Sequence, residues 1–139
     1  CSSIDSCGYG LHIDLASDVL IRNFHLVNPA GVGGRATNFG SSQGGPLTNS
    51  EVNIYASGDR VETLIWARDN RNVEYSGRII SNSARPFVIE GDRTQDVRVR
   101  DMEIVSANLA SFTNGITLAH TVPAGAVSFE NVVVTPGPL

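Results

Sequence analysis

Three stretches of the chain break strict alternation at the same place. They read "VLIRNFHLV" from Val19, "VRVRDMEIV" from Val97 and "VSFENVVVT" from Val127. Positions one and three are apolar in each: Val19 and Ile21, Val97 and Val99, Val127 and Phe129. Positions six and eight are apolar again, as Phe24 and Leu26, Met102 and Ile104, Val132 and Val134, although their parity is opposite. Successive side chains of a strand point to opposite faces, so a run that changes parity has to bend without using up an inward side chain. Position five carries Asn23, Asp101 or Asn131. Asn and Asp tolerate the left-handed backbone conformation that makes such a bend. Weaker copies start at Val52 and Val73, and the second of these puts Gly77 at the bend. The starts then fall at 19, 52, 73, 97 and 127. A one-residue corner recurring every 21–33 residues describes one rung of a coil.

Four of the rungs have an apolar run upstream: "GLHIDL" (10–15), "TLIWA" (63–67), "PFVIEG" (86–91) and "NGITLA" (114–119). No segment holds a helical apolar period over two turns. Short strands separated by turn residues make this an all-β chain with little or no helix. The rung reads as strand, polar turn, strand, sharp bend, strand, loop. A β-sandwich also has many short strands, but it alternates strictly within each and has no reason to repeat Asn or Asp at one bend. Arg78 resists the register, because it falls where Phe24 and Met102 point inward. Either Gly77-Arg78 is a two-residue corner, or Ile79 and Ile80 shift by one. A length of 139 residues suits a single domain, 1–139. Five rungs at strand spacing would stand about 25 Å tall. Residues 28–49, rich in Gly, Ser and Asn, read as the longest inter-rung loop, either a binding loop or a plain excursion.

This succession of strands and corners resembles the right-handed parallel β-helix of the pectate-lyase-like superfamily. The resemblance spans nearly the whole chain and lies in the repeat pattern alone, so it bears on fold more than on function. It implies a solenoid of about five rungs whose end rungs need covering. "CSSIDSCGYG" begins the chain and "VVVTPGPL" ends it, the latter too short to cap a core. The expectation is a piece of a longer chain or an end covered by another subunit, with position 1 a processed or fragment boundary because Met is not there. Phage tailspikes and related virion proteins trimerise parallel β-helices. The resemblance therefore implies a homotrimer in a virion or in an extracellular, secreted setting.

Charge removes some classes. Ten Arg and no Lys stand against 14 Asp and Glu, for a net charge of −4, so the basic excess of a nucleic-acid binder is missing. No apolar run approaches the roughly 18 residues of a membrane helix. Cys1 and Cys7 either close a small disulfide loop in an oxidising compartment or remain free thiols near a terminus. Their spacing is no zinc signature, and no metal ligands are picked out. Gly33-Gly34 and Gly44-Gly45 lack the Lys-Ser/Thr that a phosphate loop needs.

Two function classes remain. Polysaccharide-cleaving β-helices work with outward carboxylates, an Arg or Lys, and often calcium. A glycosidase needs two carboxylates at a fixed short separation. A lyase needs a base and cations that stabilise an anion. The carboxylate candidates are Asp14, Asp69, Glu90 and Asp92, at unequal offsets from their rung anchors. Neither the "DPH" of alginate epimerases nor the carboxylate series of polygalacturonases is present. Trp66, Arg93 and His120 are candidate glycan contacts, Trp66 being either a stacking platform or packed. Outward Arg22, Glu74, Arg98, Arg100 and Glu130 suggest an interstrand ion-pair ladder or a subunit contact. His25, which shares the seventh position with Glu103, reads as an ordinary surface histidine. The leading expectation is a non-enzymatic structural or receptor- and glycan-binding module of a virion tail or surface appendage, with a surface polysaccharide as partner and no cofactor. The alternative is a lyase or glycoside hydrolase fragment acting on bacterial or acidic polysaccharide, with calcium considered only for the lyase.

Overall fold

The computed structural model describes residues 10–29, 35–41, 43–58, 61–83, 85–106 and 115–136. These form strands β1 (Leu11–Ile13), β2 (Ala16–Ser17), β3 (Leu20–Val27), β4 (Thr37–Phe39), β5 (Leu47–Ser57), β6 (Ile65–Arg68), β7 (Arg71–Ile80), β8 (Phe87–Glu90), β9 (Gln95–Ser106), β10 (Ile116–Leu118) and β11 (Val127–Pro136), with no helix among them. One sheet is ordered β1-β4-β6-β8-β10 and the other β11-β9-β7-β5-β2, with β3 also on β5. Every pairing between these strands is parallel. The chain is a parallel β-solenoid of about four turns. The five rungs expected correspond to five passages through each sheet among the described residues.

The parity slip is where the repeat placed it. Asn23, Asp101 and Asn131 all hold positive φ, at 52°, 49° and 51°. Between Ile21 and Phe24 the register against β5 shifts by one, so β3 carries an extra residue at its corner. Side chains run along this edge as a ladder. Asn53 Oδ1 accepts from the Asn23 amide at 3.0 Å and its Nδ2 donates to Ser76 at 3.0 Å. Asn131 Nδ2 donates to Asp101 Oδ1 at 2.7 Å. A β-branched residue pays the left-handed penalty there and loses the ladder bond. Asn131→Val is expected to cost about 1–2 kcal/mol in urea unfolding, while Asn131→Gly stays within about 1 kcal/mol of the parent.

The two weak copies need correcting. Ile21 pairs with Val52 and Val52 with Tyr75, so Val52 stands at position three, not one. Ser50, paired with Val73, is the first position of its rung. It is buried, takes the Val19 N–H on its Oγ at 3.0 Å and donates to the Thr48 carbonyl at 2.7 Å. Gly77 is not the corner. It pairs with Ile54 and Met102 and so occupies the inward sixth position. Ile79 then points inward beside Ala56 and Ile104, and Arg78 points outward beside Tyr55 and Glu103. Rungs two and three alternate without a slip, and the extra residue reappears in β9. Residues 28–49 are not one loop either, because they contain β4 and the first residues of β5.

The interior is two apolar walls. Phe39, Ile65, Ala67, Phe87 and Ile89 come from the first sheet and Val52, Ile54, Val73, Val97, Val99, Met102 and Ile104 from the second. Tyr75 sits between Phe39 and Phe87 with edge-to-face geometry at 5.8 and 5.3 Å. Burial ends abruptly at the last passage. Phe129 and Val134 are 48% and 43% exposed, whereas Val99 and Ile104, their partners one rung before, are 0% and 1%.

Candidate functional site

Alternation in the first sheet sends Leu11, Ile13, Phe39, Ile65 and Ala67 inward, so the residues between them face out. His12 pairs with Asn38, and Trp66 with Val88, giving one outward row. Arg68 pairs with Glu90, and Asp14 begins the same second row at the other end. The sheet thus gathers residues that lie up to 78 positions apart (Glu90 and His12) onto one face.

Trp66 is outward yet only 9% exposed. Its Nε1 donates to Glu90 Oε1 at 3.0 Å, and Arg68 pairs with that same oxygen at 2.9 Å. The Arg35 guanidinium carbon lies 3.3 Å from the centroid of the indole, a cation–π stack. Beside it, Asp14 Oδ2 accepts from Ser41 Oγ at 2.8 Å and lies 3.2 Å from His12 Nε2. Asn38 Nδ2 is 3.2 Å from the same ring nitrogen, which accepts from Asn38 or donates to Asp14 according to its tautomer. His12, Asp14, Arg35, Asn38, Ser41 and Arg68 line a groove of about 300 Å³.

The four carboxylate candidates fall in different settings. Asp14 and Glu90 share a row but are three strand spacings apart, roughly 14 Å at about 4.8 Å per strand. Glycosidase pairs stand about 5–9.5 Å apart. Asp69 is engaged in the backbone. It holds φ of 54°, its Oδ1 accepts from the Arg93 amide at 3.1 Å and its Oδ2 from the Arg93 guanidinium at 3.1 Å. Two of the expected contacts therefore meet each other, as the clamp of the turn between β8 and β9. Asp69→Ala is expected to lower stability by about 2 kcal/mol in thermal or urea unfolding, because it removes both bonds that hold the Arg93 turn and keeps a left-handed backbone without its Asp. Asp92 lies in a separate, more open groove of about 490 Å³ with Arg71, Thr94, Asp96 and Gly125. His120 is exposed in the turn after β10. Cys1 and Cys7 lie outside the described residues. Among those described, no group of three or more His, Cys, Asp or Glu is arranged to hold a metal ion, and no helix is long and apolar enough to cross a membrane.

The second sheet carries the ladder its charges suggested. Glu74 takes Arg98 at 3.6 Å and Arg100 at 3.7 Å, and Arg100 also reaches Glu130 at 3.9 Å. Such exposed pairs contribute about 0–1 kcal/mol each. His25 is not isolated. It stacks on Tyr55 at 5.0 Å and heads an outward column that continues to Arg78, which pairs with Glu103 at 2.7 Å.

The fold and this face define a parallel β-solenoid with a polar, arginine-bearing groove along one sheet. No protein-family model, no curated protein and no solved structure matches the chain.

Proposed function

We propose that the chain is a non-enzymatic β-helix module that binds a glycan or receptor through the outer face of its first sheet, as part of a virion tail or surface appendage. The observation that carries this reading is the composition of that face: a groove furnished with arginines, amides and a hydroxyl, with Trp66 stacked under Arg35 beside it, and with Asp14 and Glu90 of the Arg68 row too far apart for glycoside hydrolysis. Its likeness to the pectate-lyase-like and tailspike repeat pattern adds the extracellular or virion setting. The exposed inner column of the last passage, Phe129 and Val134, supports a homo-oligomer, with a trimer preferred.

The test is retention of bacterial surface polysaccharides by the protein, with the soluble fraction assayed for new reducing or unsaturated ends. Binding without release, weakened about tenfold by Arg68→Ala, is the expected result. Light scattering is expected to give a trimer. A monomer that releases unsaturated or reducing sugars, and loses that activity in Asp14→Asn or Glu90→Gln, would replace this reading with the lyase or hydrolase one.

A further inference from the structure

We infer that the ligand of this groove bears a singly charged oxyanion, a uronate carboxylate or a sulfate ester on a sugar, seated on the guanidinium of Arg35. The inference rests on the binding reading above and names the chemistry of its ligand.

Among the described residues, Arg35 is the groove arginine with no carboxylate partner. Its guanidinium carbon lies over the Trp66 ring, 3.3 Å from the ring centroid. Its Nε is buried and has no hydrogen-bond partner. No carboxylate lies within ion-pairing distance of it among the described residues, whereas Arg68 beside it is paired with Glu90. A half-buried charge that has lost part of its water to an aromatic ring and gained no counter-ion is costly, and a native structure that keeps one needs a reason. An oxyanion arriving from solution supplies it.

The surroundings decide the valence and the kind of molecule. Glu90 is already bonded to Arg68 and Trp66. Asp14 is bonded to Ser41 and faces His12. With Glu90 offsetting Arg68, the described residues leave Arg35 and Asp14 as opposite charges in the groove, so a first negative charge can sit on Arg35 while a second would meet Asp14 without a cation of its own. A singly charged oxyanion fits better than a phosphate monoester. Stacking on an indole holds the guanidinium plane and leaves its edge for two parallel N–H···O bonds, the geometry that takes an oxyanion side-on. Asn38 and Ser41 on the same groove supply the neutral hydrogen-bonding groups that sugar hydroxyls use.

Trp66 is the only tryptophan of the chain and lies directly beneath Arg35, so its fluorescence reports the site. The experiment titrates the protein with three trisaccharides: trigalacturonate, its carboxyl-reduced neutral form, and a neutral backbone carrying one sulfate ester. A saturable change in Trp66 emission with trigalacturonate or the sulfated sugar, absent with the reduced one, is the expected result, and which of the two works names the source of the oxyanion. Arg35→Gln is expected to weaken that binding about tenfold or more, and Arg35→Lys to recover only part of it. Far-ultraviolet circular dichroism and an unchanged melting temperature establish that both variants fold. If Arg35→Gln fails to fold, raised salt on the parent protein takes its place, and charged-sugar binding that ignores salt overturns the inference. Equal binding of charged and reduced sugars, or of parent and Arg35→Gln, overturns the oxyanion while the binding module stands. No binding to any charged or neutral glycan overturns both.

Discussion

Gly77→Ala is expected to destabilise the protein by about 2–6 kcal/mol, enough to consume much of the roughly 5–15 kcal/mol that holds a domain together. Gly77 has φ of 126°, a conformation L side chains rarely adopt. A Cβ there would lie 2.0 Å from the Ile54 carbonyl oxygen and 2.8 Å from its carbon. Those are backbone atoms of the neighbouring rung, fixed by parallel pairing, and they cannot swing aside as a side chain would. The coil would have to part between β5 and β7. Gly125→Ala is the control. Its φ is 78°, but nothing lies within 4 Å of the added Cβ, so only the conformational term of about 1–2 kcal/mol remains. Urea unfolding of the two variants separates the contributions. Equal losses would show that rung contact does not govern position 77.

Tyr75→Ala is expected to cost about 3–5 kcal/mol, and Tyr75→Phe about 1–3 kcal/mol. The larger figure is the cavity left between Phe39 and Phe87 in a fully buried site. The smaller one isolates the hydroxyl. Asn70, also fully buried, is oriented with its Oδ1 accepting from the Tyr75 hydroxyl at 2.6 Å and its Nδ2 donating to the Phe39 and Arg68 carbonyls at 3.0 and 3.2 Å. The opposite orientation would set its oxygen against both carbonyls. Removing the hydroxyl leaves that oxygen unsatisfied in the core. Burial pushes the pKa of the Tyr75 hydroxyl well above its ordinary value. The unfolded chain ionises this tyrosine near pH 10 and the folded one only at higher pH. The native state therefore holds the extra proton, and stability is full below about pH 10 and falls as pH rises beyond it. In Tyr75→Phe that part of the alkaline loss is expected to disappear.

How much of this was legible depends on whether a feature is local. The corner at position five was readable because Asn23, Asp101 and Asn131 each sit inside their own parity slip. A second corner column, Asp18, Asn49, Asn72 and Asp96, has φ of 59°, 50°, 52° and 51°. It stands immediately before position one of four rungs, as Asp-Val, Asn-Ser, Asn-Val and Asp-Val, and was visible in the same alignment. It was missed because Ser50, a polar residue at an inward position, hid the start of the second rung and moved its anchor to Val52. Gly77 misled in the other direction. Glycine is common at corners, but here it serves close approach to Ile54.

The groove was only half legible. Trp66 and Glu90 were singled out from their strands, yet the bond between them crosses a rung. Arg68 was within reach, since it lies two residues after Trp66 and shares its face. Arg35 and Asn38 lay inside a segment that Gly and Ser made look like loop throughout. What Arg35 does depends on the rung above it, and no local pattern carries that information.

The parallel coil itself is tested most directly by cross-linking neighbouring strands. Arg98 pairs with Ser128 and Glu103 with Val133, both outward, in β9 and β11. Parallel neighbours about 4.8 Å apart lie within the range of Cα separations that a disulfide spans. With Cys1 and Cys7 replaced by Ser, the double variants Arg98→Cys/Ser128→Cys and Glu103→Cys/Val133→Cys are both expected to oxidise to intramolecular disulfides, read by peptide mapping, with the fold retained. The crossed pairs Arg98→Cys/Val133→Cys and Glu103→Cys/Ser128→Cys are expected to stay reduced. Closure of the crossed pairs in place of the direct ones would mean antiparallel strands and would contradict the coil.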